Sequence, residues 1–144
     1  MEGMSVEELV ELARSRLSRL TAARAAQARA RGALIIDIRC ACQRQRDGLV
    51  PGAIGIERNV LEWRADPRSP WRDPRLAHCR GPLILMCAQG YQSSLAAASL
   101  HDLGITHATD LIDGFEGWRE AGLPVHAWPG DDRPGVTIDG GEPR

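Results

Sequence analysis

At 144 residues the chain has room for one domain of ordinary size, large enough to bury a core without disulfides or metal. It is 43% hydrophobic and 26% charged with a formal net charge of -1, which gives no electrostatic reason to expect nucleic acid as a partner. No apolar run approaches bilayer-spanning length, so no membrane partner is expected.

The opening MEGMSVEELVEL lacks the basic head, apolar centre and small-residue exit of a signal peptide, and a cytoplasmic protein is expected. In that reducing compartment Cys40, Cys42, Cys79 and Cys87 read as free thiols. Ser5-Val6-Glu7-Glu8 is a capping box opening a helix, with Val6, Val10, Ala13 and Leu17 at helical spacing and Leu9, Leu12 and Leu20 widening the stripe. Arg14, Arg16 and Arg19 fall near its end, where positive charge is favoured. A second helix start at Thr21 leads through an alanine-rich stretch to a stop at Gly32.

Residues 33–38 form the first clear strand, an aliphatic run suited to a sheet covered on both faces. Asp37 and Arg39 come where it ends, at the carboxyl edge where open α/β sheets bind ligands. A polar stretch from Gln43 to Gly48 leads to a turn and a short strand over Leu49 to Ile56, and Asn59 to Arg64 predicts one helical turn. Asp66 to Pro82 reads as an irregular excursion pinned by Trp63 and Trp71. Pro82 to Cys87 is the strongest strand, with the proline at its beginning, where it removes no ladder donor. Ser93 to Leu103 predicts a helix with Leu95, Ala96, Leu100 and Leu103 inward. A strand over Ala108 to Ile112 and a helix over Phe115 to Glu120 follow, with Trp118 packing inward. Strands alternating with helices give a mostly parallel sheet flanked by helices. Three parts are expected: an N-terminal helical extension over 1–20, one domain over 21–128, and a Gly/Pro/Asp-rich tail over 129–144.

Cys87 ends an apolar strand and is followed by Ala88-Gln89-Gly90-Tyr91-Gln92-Ser93-Ser94 and then a helix. Such a strand–loop–helix unit can turn consecutive N–H groups onto one point, and the helix adds its positive end. Both favour thiolate, the attacking form of cysteine. Gly90 is the residue best able to take the left-handed conformation that this curling needs. The same position also suits a small buried apolar side chain, as free cysteines often are.

Four segments in order resemble the rhodanese-like domain family, from about Thr21 to Val125. They are Leu34-Ile35-Ile36-Asp37-Ile38-Arg39, Gly48-Leu49-Val50-Pro51-Gly52-Ala53-Ile54, Cys87-Ala88-Gln89-Gly90-Tyr91-Gln92-Ser93, and Asp113-Gly114-Phe115-Glu116-Gly117-Trp118 through Ala121-Gly122-Leu123-Pro124-Val125. The resemblance implies a five-stranded, mostly parallel sheet with helices on both faces. It implies a sulfurtransferase in which Cys87 takes sulfur from a donor such as thiosulfate or a persulfide and passes it to a thiol, protein or other nucleophilic acceptor, with no cofactor and no metal. The backbone of Ala88, Gln89, Gly90, Tyr91, Gln92 and Ser93 would cradle the anion, and Asp37 and Arg39 would pair structurally beside it. A loop of six residues, Cys87 to Gln92, is the family's sulfurtransferase length; related phosphatases carry one more. The chain departs from the pattern at Gln92, where arginine is common, and at Leu49, where histidine is. Arg58 or Arg64 are candidates for returning the missing charge from the rim. The alternative is a noncatalytic interaction or redox-sensing module.

Of the other thiols, Cys40 and Cys42 are candidates to resolve a persulfide on Cys87 by exchange, or are incidental residues of a solvated segment. As a zinc half-site their spacing is poor, and Cys79 with His78 lies far from a partner pattern. His101, His107 and His126 read as helix or surface residues. Both monomer and homodimer are compatible with the sequence.

Overall fold

A computed structural model describes residues 2–129 of the chain. Apart from Pro129, the expected tail lies outside these residues.

The chain opens with α1 (Val6–Arg14) and α2 (Ala22–Arg29), capped by Ser5 and Thr21 at the two positions expected, the first with a complete capping box. β1 (Leu34–Asp37), α3 (Ala41–Asp47) and β2 (Ile54–Gly55) follow. A 3₁₀ turn (Arg58–Val60) runs into α4 (Leu61–Ala65), and α5 (Pro74–Ala77) precedes β3 (Leu83–Met86). The last elements are α6 (Gln92–Asp102), β4 (Ala108–Asp110) and α7 (Gly114–Glu120).

All pairings between these strands are parallel, in the order β2-β1-β3-β4. Alternation along the strands splits the core in two. Leu83, Leu85, Cys87 and Ile36 face α4 and α6, packing on Leu61, Ala96, Ala97 and Leu100. Ile84, Met86 and Ile35 face α2 and α7, packing on Ala25, Phe115 and Trp118. Strand order reverses between β1 and β3, and the carboxyl ends of those two strands carry Asp37 and Cys87 to one edge.

Four differences from the sequence reading are physical. The sheet has four strands, not five: beyond β4 the chain contributes a one-residue parallel bridge, Leu20 to Leu111, because helices capped at Ser5 and Thr21 leave only a short link between them. The polar stretch after Arg39 is helical, as α3, and it buries Arg44. Trp63 and Trp71 do not pin the excursion, being 56% and 66% exposed; Leu76, Ser69 and Asp73 are its buried residues. Val6, Leu9 and Leu12 are likewise exposed, and α1 seats itself through Val10 and Ala13. No described helix is long and apolar enough to cross a membrane.

Candidate active site

Cys87 is 8% exposed, and its sulfur meets polar donors and not only aliphatic carbon. The Gly90 N–H donates to Sγ at 3.1 Å and the Ser93 N–H at 3.4 Å. Ser93 is the second residue of α6, so the sulfur sits at that helix's positive end. The thiol in turn donates to Ser93 Oγ at 3.3 Å, and that hydroxyl donates to Asp110 Oδ2 at 2.7 Å. Ser94 Oγ donates to the same carboxylate oxygen at 2.8 Å. Once the thiol ionises, the Ser93 hydroxyl is free to turn toward Sγ, because Ser94 still satisfies Asp110.

The amides point inward because the carbonyls of this loop are drawn outward. The Cys87 carbonyl accepts from Phe115 N at 2.8 Å and the Ala88 carbonyl from Glu116 N at 3.1 Å, both in the first turn of α7. The Gly90 carbonyl accepts from Arg14 Nη2 at 2.8 Å and Arg19 Nη2 at 3.0 Å. Gly90 itself has φ +91°, which side-chain-bearing residues rarely adopt. The close approach of α7 has its own requirement: a Cβ on Gly114 would lie 2.4 Å from the Cys87 carbonyl oxygen.

Asp37 and Arg39 form a buried, two-pronged ion pair, Nε to Oδ1 at 3.0 Å and Nη2 to Oδ2 at 2.7 Å. Arg39 also donates to the Gly48 carbonyl, and its guanidinium lies 4.0 Å from the centre of the Phe115 ring. The Arg39 Nη1 group has no hydrogen-bond partner, and the ring face beside the guanidinium gives the cation an alternative contact. The pair thus supports Phe115, which holds the Cys87 carbonyl.

Of the two rim candidates the structure brings one to the site. Arg58 Nε reaches Gln92 Oε1 at 3.3 Å. Its charge is shared with Glu62, whose two oxygens each accept from Arg58 Nη1 at 2.9 Å. Burial alone would raise the Glu62 pKa, but hydrogen bonds from Ser99 and its own backbone, with the Arg58 charge, hold it below the usual range. Arg64 is not at the rim. It donates to the Trp71 carbonyl at 2.7 Å and lies 3.5 Å from Asp73, bracing the excursion.

Tyr91 and Gln92 are exposed, as is Gln89, while Ala88 is half-buried. Cys40 and Cys42 are exposed free thiols at the start of α3. No group of three or more metal-ligating side chains gathers among the described residues. The residues missed by sequence reasoning are Asp110, Arg14 and Arg19. An acid ending β4 was a weak signal, since it lies at the edge that carries the other polar residues.

The family model for the rhodanese-like domain matches residues 21–121. Thiosulfate sulfurtransferase GlpE of Actinobacillus succinogenes is 43% identical over 44 residues, 31% of this chain and 40% of that one, so the chain matches less than half the length of that relative. A Rhodopseudomonas palustris protein of unknown function, described as a possible tyrosine phosphatase, superposes with a TM-score of 0.80 at 31% identity, covering 88% of this chain and 97% of its own. A rhodanese-related protein of Thermoplasma volcanium shares the fold with a TM-score of 0.59 at 23% identity, over 75% of this chain and 96% of that one.

Proposed function

The chain belongs to the rhodanese-like domain family, and from that premise we propose that it is a sulfurtransferase carrying sulfane sulfur on Cys87. The observation that carries the reading is the pair of backbone N–H groups, from Gly90 and Ser93, converging on Sγ at the start of α6. Two such donors can hold the charge of a persulfide without a charged side chain in the loop.

The reaction balances in two steps. The Cys87 thiolate attacks the sulfane sulfur of a donor, forming a Cys–S–S⁻ group. With thiosulfate the S–S bond breaks and its electron pair leaves on sulfite; with a low-molecular-weight or protein persulfide it leaves on the donor thiolate. An acceptor thiolate or cyanide then attacks the outer sulfur, and the electron pair returns to Cys87. No cofactor or net oxidant is needed. The donor is a small molecule or protein persulfide, and the acceptor a thiol or protein.

Intact mass tests the reading. Incubation with a sulfane donor should add one sulfur atom to the protein, and Cys87→Ser should add none. Equal loading of the variant would move the chemistry to another thiol. No loading by either donor class would favour the noncatalytic, interaction or redox-sensing alternative.

The description of the Rhodopseudomonas palustris relative sets phosphate-ester hydrolysis beside this reading. The loop favours sulfur. It offers a phosphoryl dianion no charged donor of its own, and at six residues, Cys87 to Gln92, it has the sulfurtransferase length. Cys87-dependent release of p-nitrophenol from its phosphate ester would reverse that preference.

Gln92 bears on the choice of donor. Arg58 beside it is occupied by Glu62, so a dianionic donor meets little net positive charge at the rim. Persulfides carrying one charge are therefore the preferred donors. Gln92→Arg should lower the KM for thiosulfate by about 3–10-fold, the scale of one partly exposed charge-assisted bond, with a smaller change for a persulfide donor. Steady-state kinetics with both donors checks this; an unchanged thiosulfate KM counts against it.

A further inference from the structure

The positive charge that the loop lacks is present immediately behind it, and it comes from the segment preceding the family match. Arg14 closes α1 and Arg19 lies between α1 and α2, both before residue 21. Arg19 grips Asp110 with Nε at 2.8 Å and Nη2 at 3.1 Å, and Asp110 is fully buried. Arg14 meets neutral groups: the Gly90 carbonyl, Ser94 Oγ at 3.1 Å, and the Tyr91 ring, whose centre is 5.3 Å from the guanidinium. Two cations and one carboxylate leave one positive charge against the loop.

The segment is also held in register. Leu20 N–H donates to the Asp110 carbonyl at 3.1 Å, and Ile112 N–H donates to the Leu20 carbonyl at 2.8 Å. Arg19 is therefore fixed by the backbone on one side and by its ion pair on the other.

The Gly90 carbonyl is the point of action. In a trans peptide the C=O and N–H point opposite ways. Drawing the Gly90 oxygen toward two guanidinium groups turns the N–H of the same peptide, that of Tyr91, away from them and polarises it. The two arginines thereby anchor the carbonyl of the residue whose own N–H donates to Sγ at 3.1 Å.

We infer that Arg14 and Arg19 are positioning residues for Cys87, holding the Gly90–Tyr91 peptide and supplying from outside the matched domain the charge that stabilises the thiolate and its persulfide. This inference rests on the reading of Cys87 as the reacting thiol.

The test is the pH dependence of Cys87 alkylation by iodoacetamide, followed on the peptide that contains Cys87 so that the other three thiols do not interfere. Arg14→Gln removes a cation without stranding a carboxylate and should fold. Arg19→Ala is made together with Asp110→Asn, so that no buried carboxylate is left unpaired. In Arg14→Gln the midpoint should rise by about one pH unit, a roughly tenfold loss of thiolate at fixed pH below it, and Arg14→Lys should recover part of that shift. The Arg19→Ala, Asp110→Asn pair removes one charge of each sign and should shift the midpoint by much less. A purely structural role would lower the melting temperature and leave the midpoint where it was. A parental midpoint in Arg14→Gln, or a rise as large in the charge-neutral double variant, overturns the inference. Persulfide loading of the parent is measured in parallel: its failure would remove the sulfurtransferase reading, while the alkylation profile would still report on the arginines.

Discussion

Gly90→Ala should cost about two orders of magnitude in sulfur loading, while most of the molecule's stability remains. Two effects coincide at this residue. Its φ of +91° is strained for any residue bearing a Cβ. A Cβ there would also lie 2.8 Å from Asp113 N and 3.2 Å from the Leu111 carbonyl oxygen, both backbone atoms that have little room to yield. Relief requires the loop to move, and the Gly90 amide, 3.1 Å from Sγ, moves with it. The loss falls on the step in which negative charge settles on sulfur, because preorganised donors matter most where charge develops. Rates of persulfide formation and the melting temperature, measured on the same preparations, separate the site from the fold. Loading at the parental rate would show that the amide is not needed.

Asp37→Ala should destabilise the protein by about 3–5 kcal/mol, lowering the melting temperature by about 10 °C or more. The reason is the partner left behind. The Arg39 side chain is fully buried, and its remaining contacts would be the Gly48 carbonyl and the Phe115 ring. An uncompensated guanidinium there costs far more than the ion pair contributes when whole. Replacing both partners, Asp37→Leu with Arg39→Met, should therefore recover much of the loss. Thermal denaturation of the single and double variants decides it, and a double variant no more stable than the single would show that the pair acts through more than its charges.

Much of the fold was legible because its signals are local. Ser5-Val6-Glu7-Glu8 and Thr21 mark helix starts through side chains that satisfy backbone donors three residues away, and both caps are formed. The aliphatic runs at β1 and β3 announced strands buried on both faces. The helix at α3 was missed because Ala41–Asp47 carries no apolar period, and its stability comes from packing that includes buried Arg44. The tryptophans misled for the opposite reason. Their size suggested anchors, yet Asp73, braced by Arg64 and Arg75, and Leu76 hold the excursion instead.

At the site, residue order alone named Cys87, Gly90 and the helix after them, because a strand, a glycine-containing loop and a helix start are neighbours along the chain. It also paired Asp37 with Arg39, two positions apart, through the family pattern. Asp110 and its arginines stayed hidden: Asp110 lies 16 residues from Ser94 and 91 from Arg19, and Arg14 lies 76 from Gly90. Contacts of that span arise from the order in which parallel strands assemble, with β4 beside β3 and α1 packed on α6. Local propensity chose the elements and set Cys87 between a strand and a helix start; the stacking of distant segments chose which charges stand behind it.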